Sequence, residues 1–350
     1  MILTNFFDDL PQLTKEQISD YQDSFEWWYF DVEDTNGNSL VIILKRKDSF
    51  THKINPSVYV EYKINGEKGN LVMIYPKEEF KVVDSQNNDG KSIYFGENYI
   101  KIFKTIDDTI KHYQVYIDFH KFKINMNFTP RHKGFKPSKN GVYFTHKKKS
   151  DLIKCVNFAA PRIIGEGKIE FFGDILEISG EGYHDHPWGT SNLLQTNSMW
   201  HWGRFFNESI SIMYAEVHPH KDFSGELKFF YFSHIDDAIP VIENVYDIDG
   251  EEWKKEQGAN LKFPHNLTIT CPKLGIELKT EYIELLLNIK IYNRSRVNFE
   301  LIEKTTNKKN GGIGWTEYWN VPSWMRGLLI KMNRSEQANH VKNTLKIIND

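Results

Sequence analysis

Short runs of alternating apolar and polar residues recur along most of the chain and are separated by turn signals. An aromatic run at residues 24–31, a polar turn at 34–38 and an apolar run at 40–44 together predict a β-hairpin. Similar short runs continue from residue 57 to 129 and from 227 to 302, and no segment among them is long enough for a crossover helix. This pattern predicts an all-β protein built from antiparallel barrels or sandwiches.

The plan of the first hairpin recurs in the second half of the chain. Residues 198–206 form an aromatic run with paired tryptophans, and a polar turn and an apolar run follow up to residue 217. The recurrence predicts two copies of one β unit. A chain of 350 residues also exceeds the size of one typical core. We therefore expect two tandem domains, residues 1–190 and 191–350, with almost no helix outside the termini.

Helical signals occur near the two ends of the chain. Thr14 and Gln17 have the spacing of a capping box, which predicts a short helix in the opening segment. We expect no chemical role for that segment. Residues 324–332 have a helical apolar period, which favours an amphipathic helix over a barrel mouth, with peripheral contact to a membrane as the alternative.

Composition narrows the class of protein. A net charge of -3 offers no electrostatic basis for binding nucleic acid. The sequence contains no run of about twenty apolar residues, so it predicts no integral membrane segment. The start of the chain lacks the basic region of an export signal, and Cys155 and Cys271 have no metal-type spacing, so we expect a reduced, cytoplasmic protein. The aromatic content of 14% suits both pleated sheets and an apolar pocket.

The densest group of proton-carrying side chains lies between Gly180 and Gly189. If this segment is extended, Tyr183 and Asp185 share one face of the strand, and His184 and His186 share the other. The face with Tyr183 and Asp185 therefore offers an acid pair, and the opposite face offers a basic pair.

Each of these pairs allows a functional and a structural interpretation. An apolar setting would raise the pKa of Asp185 and let it donate a proton near neutrality, whereas pairing with Arg204 would keep it charged. His184, His186 and His201 could supply three nitrogen ligands to a metal. Histidine pairs in aromatic surroundings more often bond to carbonyl groups, so we expect no metal.

Four motifs resemble those of a known superfamily. They are Glu-Trp-Trp-Tyr-Phe at 26–30, Gly-x-Gly-Tyr-His-Asp-x-x-Trp-Gly at 180–189, Trp-x-Trp-Gly-x-x-Phe at 200–206 and Gly-Trp-x-Glu at 314–317. In this order they resemble the carotenoid hydratases (hydroxyneurosporene synthases), the lipocalin-like AttH proteins and the fungal lipocalin-like Diels-Alderases. The resemblance implies tandem lipocalin-like domains, a ligand pocket at or near their junction, no cofactor, and long, apolar, conjugated substrates.

The resemblance implies different reactions in different branches. In the carotenoid hydratases, proton transfer to the polyene is assigned to the Tyr-x-Asp of the central motif, which corresponds to Tyr183 and Asp185. The hydratases also carry a His-x-Trp pair upstream, and this sequence lacks that pair at the corresponding place around Cys155. The Gly-Tyr-His-Asp sequence of the central motif resembles the cyclase branch more closely. We therefore expect a cofactor-independent cyclase. Hydration through Tyr183 and Asp185, and non-catalytic carriage of a lipophilic ligand, are the alternatives.

These arguments give one set of expected site residues in a monomer or homodimer that binds a lipophilic small molecule. Tyr183 and Asp185 form the expected catalytic pair. The residues expected to line the substrate pocket are Glu26, Trp28, Tyr29, His184, His186, Trp188, Trp202, Arg204 and Tyr214.

Overall fold

The computed structural model describes residues 1–47, 55–237, 239–255, 262–289 and 291–321. Within these ranges the chain divides into two compact units, residues 1–193 and 194–321. The helix predicted at 324–332 lies outside the described residues. Over the part that is described, no helix has the length and apolar character needed to cross a membrane.

The first unit consists of antiparallel strands that follow a short helical lead-in. The lead-in contains a 3-10 turn (Phe6–Asp9) and helix α1 (Lys15–Asp20), which begins at the predicted capping box of Thr14 and Gln17. The strands are β1 (Ile2–Leu3), β2 (Phe25–Asp34), β3 (Ser39–Lys47), β4 (Ser57–Ile64), β5 (Glu67–Ile74), β6 (Phe80–Asp84), β7 (Gly90–Phe95), β8 (Asn98–Lys104), β9 (Ile110–Asp118), β10 (Phe122–Pro130), β11 (Phe135–Lys136), β12 (Val142–His146), β13 (Ile153–Phe171) and β14 (Asp174–Gly189). A second 3-10 turn (Lys77–Glu79) connects β5 to β6.

The main sheet of this unit follows the order β5-β4-β3-β2-β14-β13-β10-β9-β8-β7-β6. Its first long strand, β2, is therefore hydrogen-bonded to its last strand, β14. This pairing places the central motif, residues 180–189, in the middle of the sheet rather than at an edge. Both neighbours of the motif are long strands. The register with β2 is unbroken along the motif, whereas the register with β13 shifts twice opposite residues 182–186.

The second unit is a similar curled antiparallel sheet. A one-turn helix, α2 (Leu193–Thr196), precedes β15 (Asn197–Phe206), β16 (Ile210–Pro219), β17 (Phe223–Gly225), β18 (Leu227–His234), β19 (Val241–Glu243), β20 (Asp247–Lys254), β21 (Phe263–Cys271), a 3-10 turn (Pro272–Leu274), β22 (Ile276–Ile289), β23 (Tyr292–Glu303) and β24 (Lys308–Asn320). The order is β19-β18-β16-β15-β24-β23-β22-β21-β20, so the first strand again pairs with the last. The two tryptophan hairpins, β2–β3 and β15–β16, hold equivalent places in their sheets, and the predicted all-β class is confirmed.

Alternation along the strands separates an inner from an outer face in the first unit. Trp28, Phe30 and Val32 of β2 are fully buried in a large apolar core with side chains from neighbouring strands. Tyr29 and Asp31 lie between them in the sequence and project from the opposite face. Alternation therefore divides β2 into an apolar inner face and a polar outer face.

The inner face also carries a row of ionisable side chains that have no solvent exposure: Glu26, His186, Asp9 and His184. His186 Nε2 lies 3.3 Å from Glu26 Oε1, and its Nδ1 lies 3.4 Å from Asp9 Oδ1. His184 Nε2 lies 2.9 Å from Asp9 Oδ2. Arg46 ends the row, with Nη1 2.8 Å from Glu26 Oε2. We call these five residues the carboxylate–imidazole row.

The two carboxylates of the row and its His186 ring are ionised. Burial disfavours the charged form of His186, but the Asp9 and Glu26 carboxylates outweigh burial and raise its pKa to about 9. Burial raises the pKa of Asp9, and the two histidines more than reverse this and lower it to about 2. Two carboxylates are thus balanced by the His186 and Arg46 cations, which is the condition for keeping charges in a dry interior.

Aromatic rings enclose the two imidazoles of the row. The Phe30 ring stacks on His184 with centroids 3.9 Å apart and planes inclined by 3°. The Trp28 ring stacks on His186 at 4.4 Å. A cationic ring gains electrostatic attraction from the face of an aromatic neighbour, so these contacts stabilise the charged state of His186.

The row ties the opening segment to the sheet. Asp9 belongs to the first 3-10 turn, and its carbonyl oxygen accepts a hydrogen bond of 2.9 Å from Trp28 Nε1. Lys47 is buried and donates to the carbonyl oxygens of Ile18 and Tyr21, at 2.9 and 2.7 Å, at the end of α1. Asp9 lies just before residues 10–19, the segment for which no chemical role is expected, and that expectation stays a prediction.

The row predicts a loss of stability in mild alkali. The folded-state pKa of His186, about 9, is above its ordinary value of 6.5, so its stabilising contribution is complete below pH 6.5 and disappears as the pH rises through 9. We expect the free energy of unfolding to fall by on the order of 2–3 kcal/mol over this interval. Urea unfolding at several pH values measures the change.

A comparison between variants isolates the contribution of His186. Burial lowers the pKa of Lys47 to about 8. Above pH 8 the folded state therefore gains stability as Lys47 loses its proton, which opposes the loss of stability caused by His186. His186→Gln should therefore remove the alkaline decline, whereas His218→Gln, at a histidine that is 47% exposed, should leave it unchanged. An alkaline decline of the same size in His186→Gln would contradict this account of the row.

Candidate functional site

The outer face of the first sheet brings together two tyrosines and two aspartates at the junction of β2 and β14. The register places Tyr29 opposite Asp185 and Asp31 opposite Tyr183. The Tyr183 hydroxyl donates to Asp185 Oδ2 at 2.7 Å, and the Tyr29 hydroxyl donates to Asp31 Oδ2 at 3.1 Å. The centroids of the two phenol rings lie 6.0 Å apart. We call these four residues the tyrosine–aspartate cluster.

Members of the cluster differ in burial and hence in the chemistry open to them. Tyr183 and Asp31 are each 1% exposed, whereas Asp185 is partly exposed. Burial, reinforced by the charge of Asp185, raises the pKa of Tyr183 well above its ordinary value. The phenol therefore keeps its proton and acts as a hydrogen-bond donor, and Asp185 is the member that solvent or substrate can reach.

A buried amine lies in the electrostatic field of Asp185. Lys154 of β13 is 3% exposed, and burial lowers its pKa well below the ordinary value, although Asp185 opposes the shift. Its Nζ lies 5.5 Å from the centroid of the Tyr143 ring. The pKa of Tyr143 is raised by burial, with smaller contributions from Cys155 and Asp185. Lys154 can therefore exchange a proton more easily than a surface lysine can.

The arrangement can perform general acid–base chemistry. A carboxyl group with one oxygen fixed by a phenol presents its other oxygen in a defined direction, in which that oxygen can give or take a proton. Phenol faces and carboxylates also stabilise positive charge that develops nearby. The cluster thus fits a reaction in which a proton is added to an uncharged substrate and a cation forms.

The structure divides the predicted residues of the first unit between the two faces. Tyr29, Tyr183 and Asp185 meet in the tyrosine–aspartate cluster on the outer face. The other five lie together on the inner face, where Trp188 approaches the His186 ring with centroids 5.2 Å apart. These five are Glu26, Trp28, His184, His186 and Trp188.

The predicted residues of the second unit also lie on two faces of its sheet. Arg204 shares one face of β15 with Trp202, and its guanidinium carbon lies 4.2 Å from the centroid of the Trp315 ring. Tyr214 belongs to the apolar core on the opposite face, where its ring lies 6.1 Å from that of Phe205. The predicted pairing of Arg204 with Asp185 stays a prediction.

The histidines predicted as alternative metal ligands have other surroundings. Both ring nitrogens of His184 face oxygen acceptors, Asp9 Oδ2 and the Tyr29 carbonyl. His186 lies between two carboxylates, and His201 belongs to the second unit. Within the described ranges, no three His, Cys, Asp or Glu side chains are grouped as ligands for a metal ion.

Sequence reasoning missed four residues of the carboxylate–imidazole row, the tyrosine–aspartate cluster and their surroundings: Asp9, Asp31, Arg46 and Lys154. Asp31 could have been found, because Tyr29 and Asp31 repeat the spacing of Tyr183 and Asp185 on a strand that was predicted. Asp9 and Lys154 carry no local signal, since each reaches its partners only through the tertiary fold.

No family model matches the chain. A curated relative, hydroxyneurosporene dehydrogenase from Chlorobaculum tepidum, is 24% identical over 231 residues. The match covers 55% of this chain and 56% of the relative, so the chain matches only about half of the relative's length.

Solved structures resemble the chain over most of its length. An AttH protein from Nitrosomonas europaea has a TM-score of 0.58 at 13% identity, over 88% of this chain and 97% of that one. Kievitone hydratase from Nectria haematococca has a TM-score of 0.57 at 13% identity, over 91% and 95%. CghA has a TM-score of 0.59 at 9% identity, over 86% and 89%. The chain therefore shares its fold with these three proteins.

Proposed function

We propose that the protein is a cofactor-independent hydratase that adds water across a carbon–carbon double bond of an elongated apolar substrate. The observation that carries this proposal is the 2.7 Å hydrogen bond from the buried Tyr183 phenol to the partly exposed Asp185. A kievitone hydratase shares the fold, and the name of the curated relative denotes an apolar polyene, hydroxyneurosporene. A purely pericyclic closure has no need of such an acid–base pair.

The proposed reaction begins with proton transfer to carbon. The protonated Asp185 carboxyl donates its proton to one carbon of the double bond, and the π electrons form the new C–H bond. A cation results on the adjacent carbon, where the Tyr29 and Tyr183 ring faces and the Asp31 carboxylate stabilise it. Water then adds to this cation and returns a proton to Asp185, so that one H₂O is added in total and the carboxyl group is restored.

The neighbours of Asp185 have separate tasks in this scheme. Tyr183 holds Oδ2 through its hydroxyl and so directs the other oxygen toward the substrate. Its raised pKa keeps the phenol in the donor form throughout the cycle. Lys154 accepts or supplies a proton whenever Asp185 is in the wrong protonation state, because burial lowers its pKa.

Variants of Asp185 and Tyr183 separate the role of the acid from that of the residue that positions it. Asp185→Asn removes the transferable proton with little change of shape, so we expect turnover to fall by about two or more powers of ten. Tyr183→Phe removes only the orienting hydrogen bond, and we expect a loss of about ten-fold. Turnover is measured by product formation from a panel of acyclic polyenes, including neurosporene, lycopene and squalene.

A third Tyr-x-Asp pair, outside the tyrosine–aspartate cluster, supplies the matched control. Tyr116 donates to Asp118 Oδ2 at 3.2 Å on β9, which is not adjacent to β14 in the sheet order. Asp118→Asn should therefore leave turnover unchanged. Equal losses in Asp118→Asn and Asp185→Asn, or none in either, would remove Asp185 from the reaction.

The second prediction concerns the origin of the new hydrogen atom. In heavy water, we expect the product to gain one water and to carry one carbon-bound deuterium from the solvent, because the proton passes through an exchangeable carboxyl group. Mass spectrometry and NMR of the product measure both changes. Carbon-bound deuterium without added water indicates proton-initiated cyclisation, an isomer without deuterium indicates pericyclic closure, and tight binding of unchanged polyene indicates a carrier.

A further inference from the structure

The hairpin that connects β13 to β14 closes in a two-residue turn, Phe172-Gly173. Both residues have positive φ angles, 50° and 101°, and Phe171 pairs with Asp174 on either side of them. Positive φ at both positions is typical of a type I′ turn, whose first position favours Asn, Asp or Gly. Phenylalanine in this position keeps a bulky side chain in the left-handed region, at a cost in backbone strain.

The turn between β4 and β5 has the same form with the usual residue at its first position. Asn65 and Gly66 have φ angles of 51° and 85°, and Ile64 pairs with Glu67 on either side of them. Among the described residues other than glycine that have a positive φ, five of seven are Asn, Asp or His, and Phe172 is the only apolar one. Turn chemistry therefore does not explain Phe172, and such departures from a local rule are expected at functional positions.

The side chain of Phe172 projects into solvent at the end of the hairpin. It is 67% exposed, and Ile175, just beyond the turn, is 71% exposed. A Cβ added at Gly173 would meet no atom within 4 Å, so the space around the turn is open. Residues 174–179 extend past the end of β2, because Gly180 is the first residue of β14 that pairs with β2. We call Phe172 and Ile175 the apolar tip.

The apolar tip is anchored to the sheet although it is exposed. The Phe172 ring packs edge-on against Phe171, with centroids 5.0 Å apart, and Phe171 packs in the same way against the buried Phe122 at 5.6 Å. The Phe172 amide donates to the Lys121 carbonyl oxygen at 2.8 Å. An apolar projection that is already ordered loses little conformational freedom when it enters another phase.

The charged groups behind the tip are arranged in pairs of opposite sign. Lys168 Nζ lies 3.2 Å from Glu177 Oε1. Lys123 Nζ lies 3.8 Å from Asp118 Oδ2 and 4.0 Å from Glu170 Oε2. Because these charges offset one another, apolar contact rather than net charge has to attract an occupant. A projecting tip suits the boundary between lipid headgroups and acyl chains, which accepts apolar side chains of any shape, whereas a protein partner needs a matching pocket.

We propose that the apolar tip inserts into the surface of a phospholipid bilayer and holds the protein there reversibly. Transfer of one such side chain out of water changes a partition equilibrium by about one to two powers of ten, so two side chains suffice for weak binding. An elongated apolar substrate, which is the class assumed under the proposed function, dissolves in the same phase. The tip therefore places the protein where such a substrate accumulates, and this link alone rests on the proposed function.

Flotation of the full-length protein with phosphatidylcholine vesicles, in the absence of substrate, tests the insertion. We expect a fraction of the wild type to float at millimolar lipid. Phe172→Asn should lower the partition constant by about ten-fold or more, because one inserted ring is lost. The same variant should raise the melting temperature, because Asn suits the first position of the turn. A purely structural role of Phe172 predicts a lower melting temperature and unchanged flotation.

Ile106 supplies the matched control, because it is fully exposed in the turn between β8 and β9. That turn lies at the other end of β9 from the turn next to the tip. Ile106→Ser should leave flotation unchanged, and Ile175→Ser should reduce it. Vesicle binding is measured without substrate, so it can fail while turnover through Asp185 persists, and the reverse.

Three results would overturn the proposal. They are a wild type that does not float at millimolar lipid, equal flotation of the wild type and Phe172→Asn, and self-association of a non-floating wild type that Phe172→Asn abolishes. The last result would assign the tip to a second copy of the chain.

Discussion

The first unit depends on the electrostatic balance of its buried carboxylate–imidazole row. Each ion of the row loses its hydration, and only the neighbouring opposite charge compensates for that loss. No single member can therefore be removed without leaving an uncompensated charge in an apolar interior. Because Asp9 comes from the opening segment and His184 and His186 come from the last strand, the same balance fixes the two ends of this unit in one place.

The geometry of the tyrosine–aspartate cluster depends on the carboxylate–imidazole row on the inner face of the same strands. Residues 183–186 alternate across a single strand, so fixing the imidazoles on one face also fixes Tyr183 and Asp185 on the other. The close approach of β2 and β14 adds to this constraint. A Cβ at Gly182 would collide with the Asp31 carbonyl oxygen, so glycine is needed for the pairing that sets Asp31 opposite Tyr183.

The sequence was most informative where a rule is local. Strand alternation predicted which of residues 183–186 share a face, and the two tryptophan hairpins predicted a repeated sheet plan. Charge partners were not predictable in this way. Asp9 reaches His184 across a sequence separation of 175 residues, and no spacing rule indicates such a contact. The apolar surroundings that set the pKa values of Lys154 and His186 also form only when distant strands pack together.

The pairing of first and last strands has a consequence for how this sheet can vary. In the first unit, β5 and β6 occupy the two ends of the sheet order although they follow one another in sequence. The connection between them links the two edge strands of the sheet, while the first and last long strands of the unit, β2 and β14, pair at its centre. Insertion or deletion of strands between β5 and β6 therefore disturbs the pairing of β14 least, because these two strands lie at the edges of the sheet. Such a topology permits the breadth of the sheet to diverge among related proteins while the chemistry-bearing centre is conserved.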